Sequence, residues 1–230
     1  TMFAGDSKLL DQARAVAFIQ CVGSREPQRP YCSKICCTAS VQQAIDLKKQ
    51  RPDLDVYILY RDLRTYGLRE DLYTKARELG VLFIRYDLND KPVVKKAAGS
   101  PDGPLQVTVT DHILAMSIQL DVDYLVLATA IVPREAKELA QLYKVPLNDD
   151  GFFLEAHMKL RPVDFATDGV FVCGLAHYPK PIEESIAQAQ AAAARAASVL
   201  AQPYMEAEPI VSVVNAELCT GCGLCEKSCP

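Results

Sequence analysis

A dense group of cysteines between residues 21 and 37 constrains this chain more than any other feature. The stretch reads CVGSREPQRPYCSKICC and contains four of the nine cysteines of the chain: Cys21, Cys32, Cys36 and Cys37. Thiolates held close together repel one another unless a cation compensates them. The group therefore implies a disulfide pair, a metal ion or an iron–sulfur cluster, with free buried thiols as a further alternative.

The position of this group in the chain indicates a fold. It follows an apolar run at residues 15–19 and precedes a helical pattern that begins at Ser33. A nucleotide-binding βαβ unit carries its glycine-rich phosphate loop at this point. No G-x-G-x-x-G occurs in the chain, and Pro30 and Tyr31 stand in the turn with two of the cysteines. The sequence therefore predicts a nucleotide-domain fold that does not bind NAD(P)H.

The hydrophobic pattern around the cysteines predicts an α/β fold with a parallel central sheet and right-handed crossovers. A β-meander, with an exposed loop at 91–104, precedes a fully apolar strand that is expected at the centre of the sheet. The predicted strands are 15–22, 55–60, 81–86, 105–111, 112–120, 123–128, 151–154 and 169–174, and the predicted helices are 33–51, 68–79, 135–143 and 182–200.

Composition limits the classes of function. The 230 residues are half apolar and carry a net charge of −4, which suits one or two globular domains and gives no reason to expect nucleic acid or an anionic membrane as a partner. No apolar run approaches 18 residues, and the first residues do not form a signal peptide. Clustered cysteines without an export signal predict a cytoplasmic protein.

A second cysteine motif closes the chain. The run C-x2-C-x2-C-x3-C-P is the bacterial ferredoxin signature for 4Fe–4S clusters, formed here by Cys219, Cys222, Cys225 and Cys229 before Pro230. Structural zinc is the alternative, since paired C-x2-C units also bind zinc. In two-cluster ferredoxins the fourth cysteine of a run ligates the other cluster. A second run is absent from this sequence, so we expect that the chain alone cannot complete either ferredoxin cluster.

Several segments together resemble the A-subunit family of heterodisulfide reductase, including its relatives in sulfate reducers. They are QCVGSR, PYCSKICC, DVYILYRDLRTYG, GLAHYPKPIEESIAQAQAAAARAA and the ferredoxin run. The resemblance implies a thioredoxin-reductase-like flavin core in a complex that relays electrons, or divides electron pairs, between FAD and 4Fe–4S clusters. It implies that Cys21, Cys32, Cys36 and Cys37 ligate an additional 4Fe–4S cluster near the flavin. The implied partners are the other subunits of the complex and ferredoxin- or hydrogenase-type electron donors.

Two further segments resemble flavin-binding motifs. The first, DYLVLATA, resembles the A-T-G turn at a domain crossing, with Ala130 in place of the glycine. In the second, Leu175 stands at the position where an aspartate usually binds the ribityl chain of the flavin. The helix from Ile182 is expected to direct its N-terminus at the flavin pyrimidine, with Lys180 adding positive charge. The candidate flavin contacts are Ala128, Thr129, Ala130, Gly174, Leu175, Lys180, Pro181 and Ile182.

The predicted organisation has three parts: residues 1–130, a nucleotide-domain-like unit with the cysteine loop; 131–202, a returning part of the FAD domain; and 203–230, a linker and truncated ferredoxin motif. The glycine motif for the FAD pyrophosphate is expected before residue 1 of a longer parent, so this chain alone should bind FAD weakly or not at all and be inactive. Cys173 is expected to be a buried core residue. Alternative functions are an NAD(P)H-dependent disulfide oxidoreductase and a non-enzymatic zinc module. We assign no nucleophile or general base.

Overall fold

The computed structural model describes residues 11–96, 103–204 and 212–228. Within these ranges the chain forms a parallel four-stranded sheet and an antiparallel three-stranded sheet. The elements are β1 (Ala15–Val22), α1 (Cys36–Gln50), β2 (Asp55–Tyr60), α2 (Glu70–Glu78), β3 (Leu82–Arg85), β4 (Val93–Lys96), β5 (Leu105–Asp111), β6 (Met116–Val122), β7 (Tyr124–Thr129), α3 (Lys137–Tyr143), α4 (Ile182–Leu200) and α5 (Leu224–Ser228).

The parallel sheet has the strand order β3-β2-β1-β7, with α1 and α2 on one face. Alternate residues of β1 point to opposite faces. Val16 and Phe18 therefore pack against α1, where they contact a stripe that includes Val41 and Ile45. This apolar contact fixes the start of α1 at the carboxyl end of β1, where the cysteines lie.

The antiparallel sheet, in the order β4-β5-β6, covers the opposite face of the parallel sheet. Ala17 and Ile19 of β1 pack against the alternate residues Val107 and Val109 of β5. The predicted α/β fold with a parallel sheet and a β-meander is thus confirmed. No helix among residues 11–96, 103–204 and 212–228 is long and apolar enough to cross a membrane.

Three local expectations are wrong. The apolar strand β7 lies at the edge of the described sheet, because it pairs with β1 alone. Residues 151–154 and 169–174 form only isolated bridges. Gly151, Gly169 and Gly174 have φ of 87°, 79° and 66°, so the segments turn before a ladder can grow.

Cys173 was expected in the core and is exposed instead. The neighbouring Val172 points into a small apolar cluster with Phe165 and Val145. Cys173 faces the other way, in extended backbone, and lines an open apolar groove beside Leu139. The apolar run therefore buries alternate residues in a loop cluster, not every residue in a central strand.

Candidate cluster and flavin site

The four cysteines of the first group gather at the carboxyl end of β1. Cys21 lies near the end of the strand with a left-handed backbone, φ 59°, while Cys36 and Cys37 open α1. The carboxyl end of a parallel strand and the N-terminus of the following helix meet at the same edge of a sheet. Cys32, from the connecting loop, joins them there, and all four thiols are free of disulfides.

The thiols of this group influence one another electrostatically. Burial raises the pKa of Cys36 to about 11, and the neighbouring Cys37, Cys32 and Cys21 contribute to the rise. Burial also raises the pKa of Cys37, against the opposing effect of a hydrogen bond from the Arg64 backbone. Without a cation, Cys36 and Cys37 stay protonated, and bound metal would be needed to hold them as thiolates.

Backbone groups already point at the sulfur atoms. The Lys34 N–H lies 3.3 Å from Cys32 Sγ, in a loop that turns through a left-handed Lys34 with φ 60°. The Cys37 thiol lies 3.8 Å from the Asp62 carbonyl oxygen. No three Cys, His, Asp or Glu side chains in the described part of the chain are placed to hold a single metal ion.

Arginines surround the cysteine group. Arg61, at the end of β2, is buried and donates to the carbonyl oxygens of Arg25 and Ser24 at 2.7 and 2.6 Å. Asp62 pairs with Arg25 and lies 3.6 Å from Arg85. The hydrogen bond from Arg25 lowers the pKa of Asp62. This carboxylate is therefore engaged by arginines.

Two polar groups beside the cysteines are buried without a partner. Gln20 is 0% exposed, and neither its amide nitrogen nor its oxygen makes a hydrogen bond. The Nε of Arg61 is also buried and unpaired. Sequence reasoning missed Gln20, although a glutamine directly before Cys21 in an apolar strand is a visible signal. It pointed to Arg61 only as a solvated charge at the end of the second strand, whereas Arg61 is buried. Soft thiolates, sulfur-directed N–H groups and orphaned donors fit an iron–sulfur cluster.

The candidate flavin contacts at the end of β7 adjoin this loop. Thr129 is the strand partner of Val22, and the Ala130 N–H donates to the Val22 carbonyl at 2.9 Å. Ala128 precedes them in β7. The next residue, Ile131, is held by Ser33 Oγ and by the Tyr31 hydroxyl, each at 2.9 Å. The cysteine loop and this turn are therefore bonded directly to each other.

In the second flavin segment, several polar atoms surround the ammonium group of Lys180. Its buried Nζ lies 2.8 Å from the Gly174 carbonyl oxygen, 3.0 Å from the Tyr178 carbonyl oxygen and 3.3 Å from His177 Nδ1. Burial lowers the pKa of Lys180. Because these atoms engage the ammonium group, Lys180 would act on a flavin through its charge. Pro181 is buried at the start of α4, while Leu175 and Ile182 are exposed.

An aromatic cluster joins the two regions. The ring of Tyr31 lies 5.4 Å from that of Phe152 and 5.6 Å from that of Tyr178, both edge to face, and Phe152 lies 5.1 Å from Tyr178. These three residues are here called the aromatic bridge. Tyr178 is two residues from Lys180, and Tyr31 directly precedes Cys32, so the aromatic bridge spans the space between the two candidate sites.

The ferredoxin-type cysteines are arranged differently. Cys219, Cys222 and Cys225 are exposed, next to the short helix α5. A hydrogen bond from the Leu224 backbone lowers the pKa of Cys222. Gly221 and Gly223, with φ of 72° and 68°, allow the tight turn that directs such N–H groups at sulfur. Cys229 lies outside the described residues.

Comparison with known proteins defines the class. Residues 212–230 match the 4Fe-4S binding domain family. Thioredoxin reductase of T. acidophilum superposes with a TM-score of 0.54 at 12% identity, over 82% of this chain and 53% of that chain, which shows the fold alone. The protein is therefore an α/β chain of thioredoxin-reductase-like fold with a ferredoxin-type segment.

The sequence relatives identify the family. A protein of Archaeoglobus profundus, named as similar to the heterodisulfide reductase A-subunit, is 42% identical over 94% of this chain and 30% of its own length. The second iron–sulfur A-subunit of CoB–CoM heterodisulfide reductase in Methanopyrus kandleri is 40% identical over 94% of this chain and 33% of its own length. The chain spans about a third of these curated relatives. Over nearly all of its length the chain is similar to A-subunits of heterodisulfide reductase, the family that the sequence motifs predicted.

Proposed function

We propose that this chain is the part of an iron–sulfur flavoprotein subunit in which electrons pass between FAD and 4Fe–4S clusters in a heterodisulfide reductase-like oxidoreductase. The observation that carries the proposal is the direct bonding of the cysteine loop to the turn at the end of β7, through Tyr31 and Ser33. Redox groups bound at the cysteine loop and at the turn after β7 would be held at a fixed distance from each other, as electron transfer requires.

In this proposal, Cys21, Cys32, Cys36 and Cys37 hold one cluster. Zinc thiolates lie about 2.3 Å from a single ion and crowd one another. A cubane instead attaches its four thiolates to four different irons, which separates them. Four cysteines that come from a strand end, a loop and a helix start suit the wider spacing of the cubane. When bound, the cluster supplies a site that takes up and releases one electron.

The flavin contacts in this proposal come from two segments. Ala128, Thr129 and Ala130 end β7, and Gly174, Leu175, Lys180, Pro181 and Ile182 lead into α4. The positive end of α4 and the charge of Lys180 favour the negative charge that develops at the pyrimidine edge of a flavin on reduction. The role of the chain here is to orient that edge and to stabilise that charge.

Cys219, Cys222, Cys225 and Cys229 are proposed as ferredoxin-type ligands that pass electrons to or from a partner. The partners we propose are the other subunits of a heterodisulfide reductase-like complex and ferredoxin- or hydrogenase-type electron donors. Exposure of the three described cysteines suits a cluster near the protein surface. All eight described cysteines are free thiols, which is typical of a reducing compartment, and we propose the cytoplasm.

The test is the iron and acid-labile sulfide content, with a visible spectrum, of anaerobically purified chain. Replacement of Cys36 and Cys37 by alanine should remove about four irons per chain, the content of one cubane. The matched control is Cys173→Ala, which removes an exposed cysteine outside both groups and should leave the iron content unchanged. Zinc in place of iron in the unmodified chain would contradict the proposal and favour a structural module.

A further inference from the structure

We infer that the side-chain amide of Gln20 donates a hydrogen bond to the cluster held by the first cysteine group and thereby raises the reduction potential of that cluster. The inference rests on the proposed function, because it requires a cluster at these cysteines. It assigns a positioning role to a residue outside the proposed ligand set.

The first observation is the isolation of the Gln20 amide. It is the only polar side chain in β1 apart from the cysteine beside it, and it is fully excluded from solvent with both of its polar atoms unpaired. Burying an amide without hydrogen bonds destabilises the fold. Its backbone, in contrast, is satisfied, since the Tyr86 hydroxyl donates to the Gln20 carbonyl at 2.6 Å. The side chain therefore lacks a partner of its own.

The second observation is where the side chain lies. By strand alternation Gln20 shares a face with Val16 and Phe18, which pack against α1. Gln20 lies one step further along β1 toward its carboxyl end, where Cys36 and Cys37 begin α1. The next residue along the chain is Cys21. Gln20 thus lies on the face of β1 that packs against α1, at the end of the strand where Cys36 and Cys37 begin that helix.

The third observation concerns charge. Arg61 is buried and bonds only to carbonyl oxygens, and no carboxylate pairs with it among the described residues. The nearby Glu26 is engaged by Lys91 at 2.8 Å. A buried, unpaired cation is costly unless an anion lies close by. An anionic thiolate-ligated cluster at this place would compensate Arg61 and accept the hydrogen bond of Gln20.

The direction of the effect follows from electrostatics. Reduction adds one electron, and so one negative charge, to the cluster. A hydrogen-bond donor stabilises the more negative state, so it raises the potential. Removal of the Gln20 amide should therefore favour the oxidised cluster. We expect about a tenfold shift in the equilibrium between the two states, which is about 59 mV for a one-electron couple.

The experiment is a redox titration of the whole chain with Gln20→Leu, carried out anaerobically with dithionite as the one-electron reductant. Cys222→Ser and Cys225→Ser in the background remove the ferredoxin-type ligands, so that one cluster is observed. Leucine keeps the volume of the site and removes the unpaired amide. The potential should fall, while the metal-free protein should become no less stable to heat. Gln119→Leu, on the exposed side of β6, is the matched control and should leave the potential unchanged.

The outcomes separate the two proposals. Absence of iron from the unmodified chain would overturn the proposed function and this inference with it. A full iron content with an unchanged potential in Gln20→Leu would overturn the inference alone. If Gln20→Leu does not retain the cluster, Gln20→Asn is titrated instead, because its shorter side chain withdraws the amide. A potential equal to that of the unmodified chain would again overturn the inference.

Discussion

At the scale of single residues, Tyr31 connects parts of the chain that are far apart in sequence. Its hydroxyl donates to the carbonyl oxygen of Ile131, about a hundred residues away. Its ring contacts Phe152 and Tyr178 edge to face. Because Tyr31 directly precedes Cys32, these contacts also fix the loop that carries a proposed cluster ligand.

The contribution of Tyr31 to the free energy of unfolding can be divided between its hydroxyl and its ring. Tyr31→Phe removes one hydrogen bond and should lower the free energy of unfolding by about 1 kcal/mol. Tyr31→Ala also removes the ring and should lower it by about 3–4 kcal/mol. Urea unfolding measures both values. Tyr143→Phe, at a half-exposed side chain, is the control and should change little. Equal losses for the two Tyr31 variants would show that the ring contacts contribute nothing.

The same residue shows what the sequence could predict about the site. The spacing of Cys21, Cys32, Cys36 and Cys37 was enough to predict that they gather, because a strand, a loop and a helix start follow one another locally. The partners of Tyr31 could not be predicted in this way. Hydrophobic periodicity shows which face of an element is buried, but it does not identify the residue that meets that face from far along the chain.

At the scale of elements, prediction succeeded where one periodic signal covers the whole element. The bounds of β1, β2 and α4 are as predicted, and each is a continuous pattern ended by glycine, proline or polar residues. It failed for the apolar runs at 151–154 and 169–174. A short apolar run between turn glycines fits a strand and a buried loop equally well. Here packing around Phe165 and Val172 determines that these segments form loops.

The attachment of α4 to the rest of the chain depends on an acid. Asp164, whose side chain is 4% exposed, accepts hydrogen bonds from Arg195 of α4 at 3.1 Å and pairs with Arg161. The hydrogen bond from Arg195 lowers the pKa of Asp164. A lowered folded-state pKa stabilises the fold above the unfolded pKa of about 3.9, and this stabilisation is lost as the pH falls through the folded value.

Asp164→Asn should therefore cost about 2 kcal/mol of unfolding free energy at pH 7. The difference from the unmodified chain should shrink as the pH falls below about 4, where the carboxylate is protonated. Chemical unfolding at a series of pH values measures this. Asp168→Asn, at a side chain that is 78% exposed and 3.8 Å from Arg161, should cost under about 0.5 kcal/mol. A pH-independent difference for Asp164→Asn would contradict the assignment.

Gly80 ends α2 for a conformational reason. Its φ is 84°, and its N–H donates to the Arg77 carbonyl at 3.0 Å, so it closes the helix from a left-handed position. An added Cβ would meet Lys48 only at 3.8 Å, which is ordinary contact. Gly80→Ala should cost about 1 kcal/mol through backbone strain alone. Gly80→Asn should cost less, because asparagine tolerates this conformation. Thermal unfolding compares the two variants. Equal losses of stability would indicate that crowding of the added side chain, not backbone strain, causes the loss.

At the scale of the whole molecule, two kinds of contact join the cysteine region to the segment that leads into α4. One is the aromatic bridge, with Phe152 at its centre and almost fully buried. The other is a set of ion pairs at the start of α4, in which Glu183 meets Arg69 and Glu184 lies 3.6 Å from Lys34. These side chains are substantially exposed, so solvent and salt screen their attraction.

The aromatic bridge and the ion pairs should contribute different amounts to the free energy of unfolding. Phe152→Ala should lower the unfolding free energy by about 3–4 kcal/mol at any salt concentration, since it opens a cavity between Tyr31 and Tyr178. Glu183→Gln with Glu184→Gln should lower it by only about 0.5–1 kcal/mol, and less at high salt. Urea unfolding at low salt and at about 1 M salt distinguishes the two, with Phe171→Ala as the control for loss of a phenylalanine outside the aromatic bridge. A larger, salt-sensitive loss from the glutamate pair would mean that charge, not aromatic packing, holds the proposed cluster and flavin regions together.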